Sequence, residues 1–210
     1  SEDSTLEEVQ NINDPKIKII QSAWNEKMTD RGFVYGQQKM IAQYNCTGDW
    51  AFYLEGDEVL HEEELETIYG CMKKNLDDVD VEALYFNFYH FYGTSEQIGI
   101  AGYRQAPRII RNTLRTIAPD GLFWLVLEKN KRGRYPRAIY SGGNIYHYGH
   151  CRKICKMANK LGQVGKYWGA NHPIFSTYGH IDTAELRIFT KTHPAIMSKW
   201  IAEEAETEFE

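Results

Sequence analysis

The run Trp50-Ala51-Phe52-Tyr53-Leu54 is short and apolar, and it ends in three carboxylates, Glu55, Asp57 and Glu58. It has the length of a buried strand, and Leu65, Ile68, Met72 and Leu76 follow at helical spacing over 62–76. A strand that hands its chain to a helix is the building unit of an α/β sheet. In open sheets of that class ligands bind beyond the carboxyl ends of the strands, where these acids stand. Alternation along the strand puts Glu55 and Asp57 on one side, and Gly56 keeps the space between them open. Paired carboxylates suit a hard divalent cation, and the cation suits a phosphate-bearing substrate. The same acids have a plainer reading, as negative charge favouring the start of helix 62–76 together with Glu62 and Glu63.

The flanking chain extends the alternation. Residues 4–12 read as a short helix, with Asp3 or Ser4 as its cap and Glu7 and Glu8 in its first turn. Asn13-Asp14-Pro15 is a turn, and 16–20 alternates like a strand. After a loop at 28–32, residues 35–44 form a helix with Met40, Ile41 and Tyr44 on one face. Helix, strand, helix, strand, helix over the first 76 residues implies a parallel sheet flanked by helices. Beyond it, 83–92, 108–111, 123–127 and 138–146 are strand candidates, and 151–161 and 195–205 read as helices. The expected architecture is one α/β domain over residues 1–210, with a mixed, mainly parallel sheet and a C-terminal helical elaboration.

Composition narrows the function classes. At 210 residues and 42% hydrophobic, the chain can bury a core. A net charge of −5 argues against nucleic acid as the main partner, although 102–137 is rich in arginine and lysine. The four cysteines, Cys46, Cys71, Cys151 and Cys155, make no disulfide framework in a chain of this length and point to reduced thiols and a cytoplasmic setting. No apolar run reaches the ~18 residues of a membrane span. Tyr, at 14 copies, serves equally as core or as the lining of a polar cleft.

Three further stretches carry chemistry. His147, His150, Cys151 and Cys155 lie where a strand enters a helix, but their spacing matches no usual structural zinc pattern. A single histidine sharing a cation with Asp57, or a packed histidine, remains open. Arg108 and Arg111 bracket an apolar pair and suit either bidentate phosphate contact or a surface ion-pair strand. Asp120 sits in the turn Ala118-Pro119-Asp120-Gly121, where an aspartate commonly serves its own loop. No phosphate-cradling P-loop is present, which speaks against a phosphotransferase of that kind.

In order along the chain these residues resemble glycosyltransferase family 2-type enzymes with the GT-A fold. Residues 2–7 resemble the end of the family's D-x-S-x-D-x-T segment, and 48–62 its G-D-W…D-E-V-L-H-E run. Residues 103–112 resemble its Y-R-R-E-x-R-I-I-R-N block, 145–152 its I-Y-H-Y-G-x-V-R and 192–197 its T-H-P-A-V-M. The resemblance implies a GT-A-like, Rossmann-like fold, a nucleotide-diphosphate sugar donor, Mn²⁺ or Mg²⁺, and a glycan or other hydroxyl acceptor. It makes 1–76 the nucleotide-sugar half and 77–210 the acceptor side. It implies that Asp57 and His147 hold the metal and that Asp3, Glu55, Arg108 and Arg111 bind the donor. It makes Asp120 the base of an inverting transfer. Glu55 stands for the more usual Asp, and Phe123-Trp124-Leu125 replaces an aromatic-basic pair after Asp120. The match begins after the family's first strand and its P-x-x-N-E turn. The expectation is thus a chain from which a preceding segment is removed or which lacks part of the nucleotide pocket. A non-catalytic, degenerate transferase-like module that binds a glycan or a protein is the alternative.

Overall fold

The computed structural model describes residues 4–100, 102–151, 154–168 and 183–205. In chain order the elements are α1 (Thr5–Asn11), α2 (Phe33–Tyr44), β1 (Trp50–Phe52), β2 (Glu58–Leu60) and α3 (Leu65–Lys74). They continue with β3 (Ala83–Tyr92), β4 (Thr94–Gly99), β5 (Gln105–Arg111), β6 (Thr116–Ile117), β7 (Leu125–Leu127), β8 (Gly133–Arg134) and β9 (Ala138–His150). Last come α4 (Ile154–Trp168), β10 (Leu186–Ile188) and α5 (Ser198–Ala205). The fold is mixed α/β, as expected.

The long strand β3 organises a seven-stranded sheet. One of its edges is shared: β5 pairs with Ala83 to Asn87 and β4 with His90 to Tyr92. The other edge carries β9 along its whole length, from Ala83↔Ala138 to Tyr92↔His150. Strand β1 extends the sheet beyond β5, β10 beyond β4, and β2 beyond β9. A second, three-stranded antiparallel sheet joins β6, β7 and β8.

The expectation of a mainly parallel sheet is corrected. Among the described residues only β3 and β9 run parallel; every other described pair is antiparallel. The connections explain this. Parallel neighbours need a long crossover. Strand β3 instead turns straight into β4 at Gly93, whose φ of 72° suits glycine. The unit β2–α3–β3 has the length of a parallel crossover, but β9 inserts between its two strands.

Local expectations fare unevenly. Strand β3 has its predicted bounds. The strand expected at 16–20 does not form; Ile17, Ile19 and Ile20 stay exposed and the Asp14 side chain accepts from the Lys16 amide in a turn. The helix at 62–76 opens instead with a 3₁₀ turn at Glu62–Glu64, where the His61 ring accepts from the Glu63 amide. The buried stripe of α2 is Val34, Gly36, Lys39, Met40 and Gln43, while Tyr44 points out. The helix is rotated because Gly36 lets it approach the 118–120 loop, where a Cβ would lie 2.3 Å from the Ala118 carbonyl oxygen.

Three buried clusters pack against the sheet, one of them joining Met40 of α2 to Ala51, Ala83, Ile110, Ala118 and Trp124. Helix α3 presses Ile68 on Leu84, Phe86 and Ile145, each side chain contributing about 1.5–3 kcal/mol by burial. In the third cluster, Phe91, Tyr146 and Tyr148 pack against Phe189, Trp200 and Ile201. Asp57 therefore hangs from a short edge strand, beside the far end of β9.

Candidate metal and donor site

The acid-x-acid motif lies on a turn, not on the strand as expected. Strand β1 ends at Phe52, and the Glu58 amide donates back to the Glu55 carbonyl at 3.0 Å. The turn separates the three acids. Asp57 faces the end of β9, Glu58 turns into the protein, and Glu55 faces the 120–122 loop. The Tyr148 amide donates to the Asp57 carbonyl at 2.9 Å and fixes the turn against β9.

Asp57 and His147 lie side by side. The register Glu58↔His147 sets them so, with Asp57 Oδ1 3.6 Å from His147 Nε2. Lys160, from α4, donates to Asp57 Oδ2 at 2.7 Å and to the Gly149 carbonyl at 2.9 Å. Gly149 leaves open the point where these groups meet. A Cβ there would lie 2.5 Å from His147 Nε2, 2.6 Å from Asp57 Oδ2 and 2.6 Å from Lys160 Nζ. His147 is buried, and burial, with His90, His150 and Lys160 nearby, holds its pKa well below the ordinary 6.5 despite Asp57. Its Nδ1 lies 2.9 Å from Nδ1 of His90, whose Nε2 lies 2.8 Å from the Tyr103 carbonyl.

His90 also helps to line a cavity of about 700 Å³ between β4 and β5. Phe88, Tyr89 and Tyr103 supply rings to it, and Asn87, Gln105 and Asn144 supply amides.

Glu55 and Asp120 both act on Lys39, on the other side of the turn. Glu55 keeps 38% of its side-chain exposure. Crowding by protein, and then Glu58 and Asp57, push its carboxyl up to about 7 against the pull of Arg108 and Lys39. Asp120 Oδ1 accepts the Leu122 and Phe123 amides at 2.8 and 2.9 Å, so that oxygen serves its own loop. Between them lies Lys39, fully buried, which donates to the Gly121 and Leu122 carbonyls at 3.2 Å and stacks 3.5 Å from the Trp124 ring centroid. Burial foremost, then Arg108, lower its pKa to about 7.

The donor-binding expectation for the two arginines is corrected. Arg108 is fully buried and forks onto Glu58, Nε to Oε2 at 2.9 Å and NH2 to Oε1 at 2.5 Å. Its apolar flanks and the bulge in β5 turn it inward, where it cannot meet a phosphate. Arg111 caps the end of α3: its NH1 and NH2 groups donate to the Leu76, Asn75, Asp78 and Val81 carbonyls. Its guanidinium lies 4.4 Å from the Trp50 ring centroid. Asp3 lies outside the described residues.

Sequence reading overlooked Lys39, His90 and Lys160. Lys39 carried no local signal, since the face it is buried on, with Gly36, Met40 and Gln43, is only partly apolar. Lys160 carried none, because its place depends on how α4 packs. Among the described residues no group of three or more His, Cys, Asp or Glu side chains gathers to hold a metal unaided. No described helix is long and apolar enough to cross a membrane. Compared with known proteins, the chain matches no protein-family model and no curated protein.

Proposed function

We propose that this chain is a GT-A-like, metal-dependent inverting glycosyltransferase that moves a sugar from a nucleoside-diphosphate donor to a hydroxyl acceptor. The observation that carries the reading is the convergence of Asp57 and His147 on the space cleared by Gly149. Their donor set, one carboxylate oxygen and one imidazole nitrogen, fits Mn²⁺ or Mg²⁺, which commonly take one or two protein carboxylates and leave other positions to water and substrate phosphate. A cation bound there would neutralise charge on the departing nucleoside diphosphate.

The remaining steps fall to the protein's own groups. Asp57 and His147 orient the donor at the end of β9. Lys160 Nζ, already at the rim, pairs with diphosphate oxygens. Asp120 Oδ2 takes the acceptor proton as the hydroxyl attacks the anomeric carbon opposite the leaving group. That carbon passes through oxocarbenium character, as in glycoside hydrolysis. Glu55, with its long reach, contacts the donor ribose. The cavity beside His90 suits a saccharide acceptor, because rings and amides together recognise sugar faces and hydroxyls.

Lys160 also supports the second reading, a binding module without turnover, since its ammonium already satisfies Asp57 Oδ2. Turnover of UDP- and GDP-sugars separates the two. The transferase reading expects Mn²⁺-dependent release of nucleoside diphosphate by the wild type, abolished by EDTA and by Asp57→Ala. Binding of nucleotide sugar without any turnover would leave the module.

A further inference from the structure

We propose that His90 is a positioning residue which fixes the tautomer of His147 and thereby aims an imidazole lone pair into the space beside Asp57 that Gly149 leaves open. The inference deepens the metal-site reading above. It rests on a chain of three contacts and the donor–acceptor rules for neutral imidazole.

The chain begins at the backbone. A carbonyl oxygen only accepts, so the contact between His90 Nε2 and the Tyr103 carbonyl at 2.8 Å requires the proton on Nε2 of His90. His90 stacks on Phe88 and meets the Tyr103 ring edge-on, with centroids 5.3 and 4.7 Å away, and the Arg108 guanidinium lies 5.0 Å from the same Phe88 ring. Burial among these rings, with Arg108 nearby, disfavours a second proton on His90 despite the Glu58 and Asp57 carboxylates. His90 is therefore neutral, and its Nδ1 is an acceptor.

The contact between the two Nδ1 atoms, at 2.9 Å, then has one solution. His147 donates from Nδ1. Its Nε2 lies 3.6 Å from Asp57 Oδ1, beyond hydrogen-bond range, and Asp57 already takes a proton-rich partner in Lys160. Nε2 therefore carries its lone pair into the space that Gly149 leaves open. This is the outer-shell pattern of metal-binding histidines, in which the distal N–H is held by a fixed acceptor. Here the acceptor is a second histidine, itself locked by a backbone carbonyl. Nothing in the spacing of His90 and His147 in the sequence suggests the link; it exists because β3 and β9 pair in parallel with these residues in register.

Two measurements test the proposal. Long-range ¹H–¹⁵N correlation on the metal-free protein at neutral pH reads the tautomers directly. The expected result is a protonated Nδ1 and a bare Nε2 on His147, with the opposite pattern on His90. Mn²⁺ titration followed by electron paramagnetic resonance reads the consequence. His90→Phe removes the acceptor and is expected to weaken Mn²⁺ binding about 10–100-fold, the usual effect of losing an outer-shell partner. His90→Asn, whose amide oxygen can replace Nδ1, is expected to recover most of the affinity and the His147 tautomer. A wild-type His147 with its proton on Nε2, or a His90→Phe variant with unchanged tautomer and affinity, overturns the proposal. A wild type with the expected tautomers but no affinity for Mn²⁺ supports the His90 assignment while refuting the metal-dependent transferase.

Discussion

Replacing Arg108 with methionine tests whether this arginine holds the site up or touches the donor. The side chains of Arg108 and Glu58 are 0% and 1% exposed, and two charge-assisted hydrogen bonds join them. A surface ion pair of the same kind is worth about 0–1 kcal/mol, but breaking a buried one strands a charge and costs about 3–5 kcal/mol. Glu58 Oε2 would keep only the Glu55 amide at 3.2 Å, one neutral donor in place of a guanidinium. For a chain of this size about 2–4 °C of melting temperature is lost per kcal/mol, so Arg108→Met should lower it by about 6–20 °C. Adding Glu58→Gln, which removes the stranded charge and keeps an acceptor for Glu55, should return most of the loss. Urea and thermal unfolding followed by circular dichroism measure both. If Arg108→Met melts within about 2 °C of wild type, a loss of about 0.5–1 kcal/mol at most, yet loses nucleotide affinity, the structural role assigned to Arg108 is wrong.

Other outcomes follow from the same geometry. Gly149→Ala puts a methyl group at the convergence point and should abolish Mn²⁺ binding in a calorimetric titration while leaving the far-ultraviolet spectrum unchanged. Lys160→Met removes the ammonium that competes for Asp57 and should tighten Mn²⁺ binding in the absence of nucleotide; weaker binding would contradict that competition. Asp120→Asn keeps the Oδ1 acceptor for the loop and should leave nucleotide binding intact while transfer falls by about 10²-fold or more, the scale of general base catalysis. The pH dependence has two windows. Glu55 has a folded pKa of about 7 above its ordinary 4.5, so its contribution is full below 4.5 and is lost as pH rises through about 7; Glu55→Gln should flatten that fall in a stability–pH profile. Lys39 has a folded pKa of about 7 below its ordinary 10.5, so stability should rise with pH between those values, and Lys39→Met should remove that rise.

How much of this was legible in the sequence depends on the range of the interaction. Local pattern found β3 to the residue, because a ten-residue run with six Phe and Tyr residues between polar turns permits little else. It found α2 but not the face that α2 buries, since that face is set by Gly36 against the 118–120 loop, 82–84 residues away. It failed at 16–20, where an alternating run meets no partner strand among the described residues and stays exposed. It misjudged strand direction because β9, far along the chain, enters between β2 and β3. For the site, the order of motifs brought out Asp57 and His147, which lie side by side. The same order misassigned Arg108 and Arg111, because an arginine that binds a carboxylate or a helix end inside the protein reads the same as one that binds a phosphate. Lys39, Lys160 and His90 became visible only through packing.

The central claim is that Asp57 and His147 together hold the cation that carries a nucleoside diphosphate. Pulsed electron paramagnetic resonance of Mn²⁺ with the protein and a nucleoside diphosphate tests it most directly. The account predicts nitrogen coupling from one imidazole together with phosphorus coupling from the nucleotide, the former lost in His147→Ala and both lost in Asp57→Ala. A Mn²⁺–nucleotide spectrum without imidazole coupling, unchanged in both variants, would contradict it.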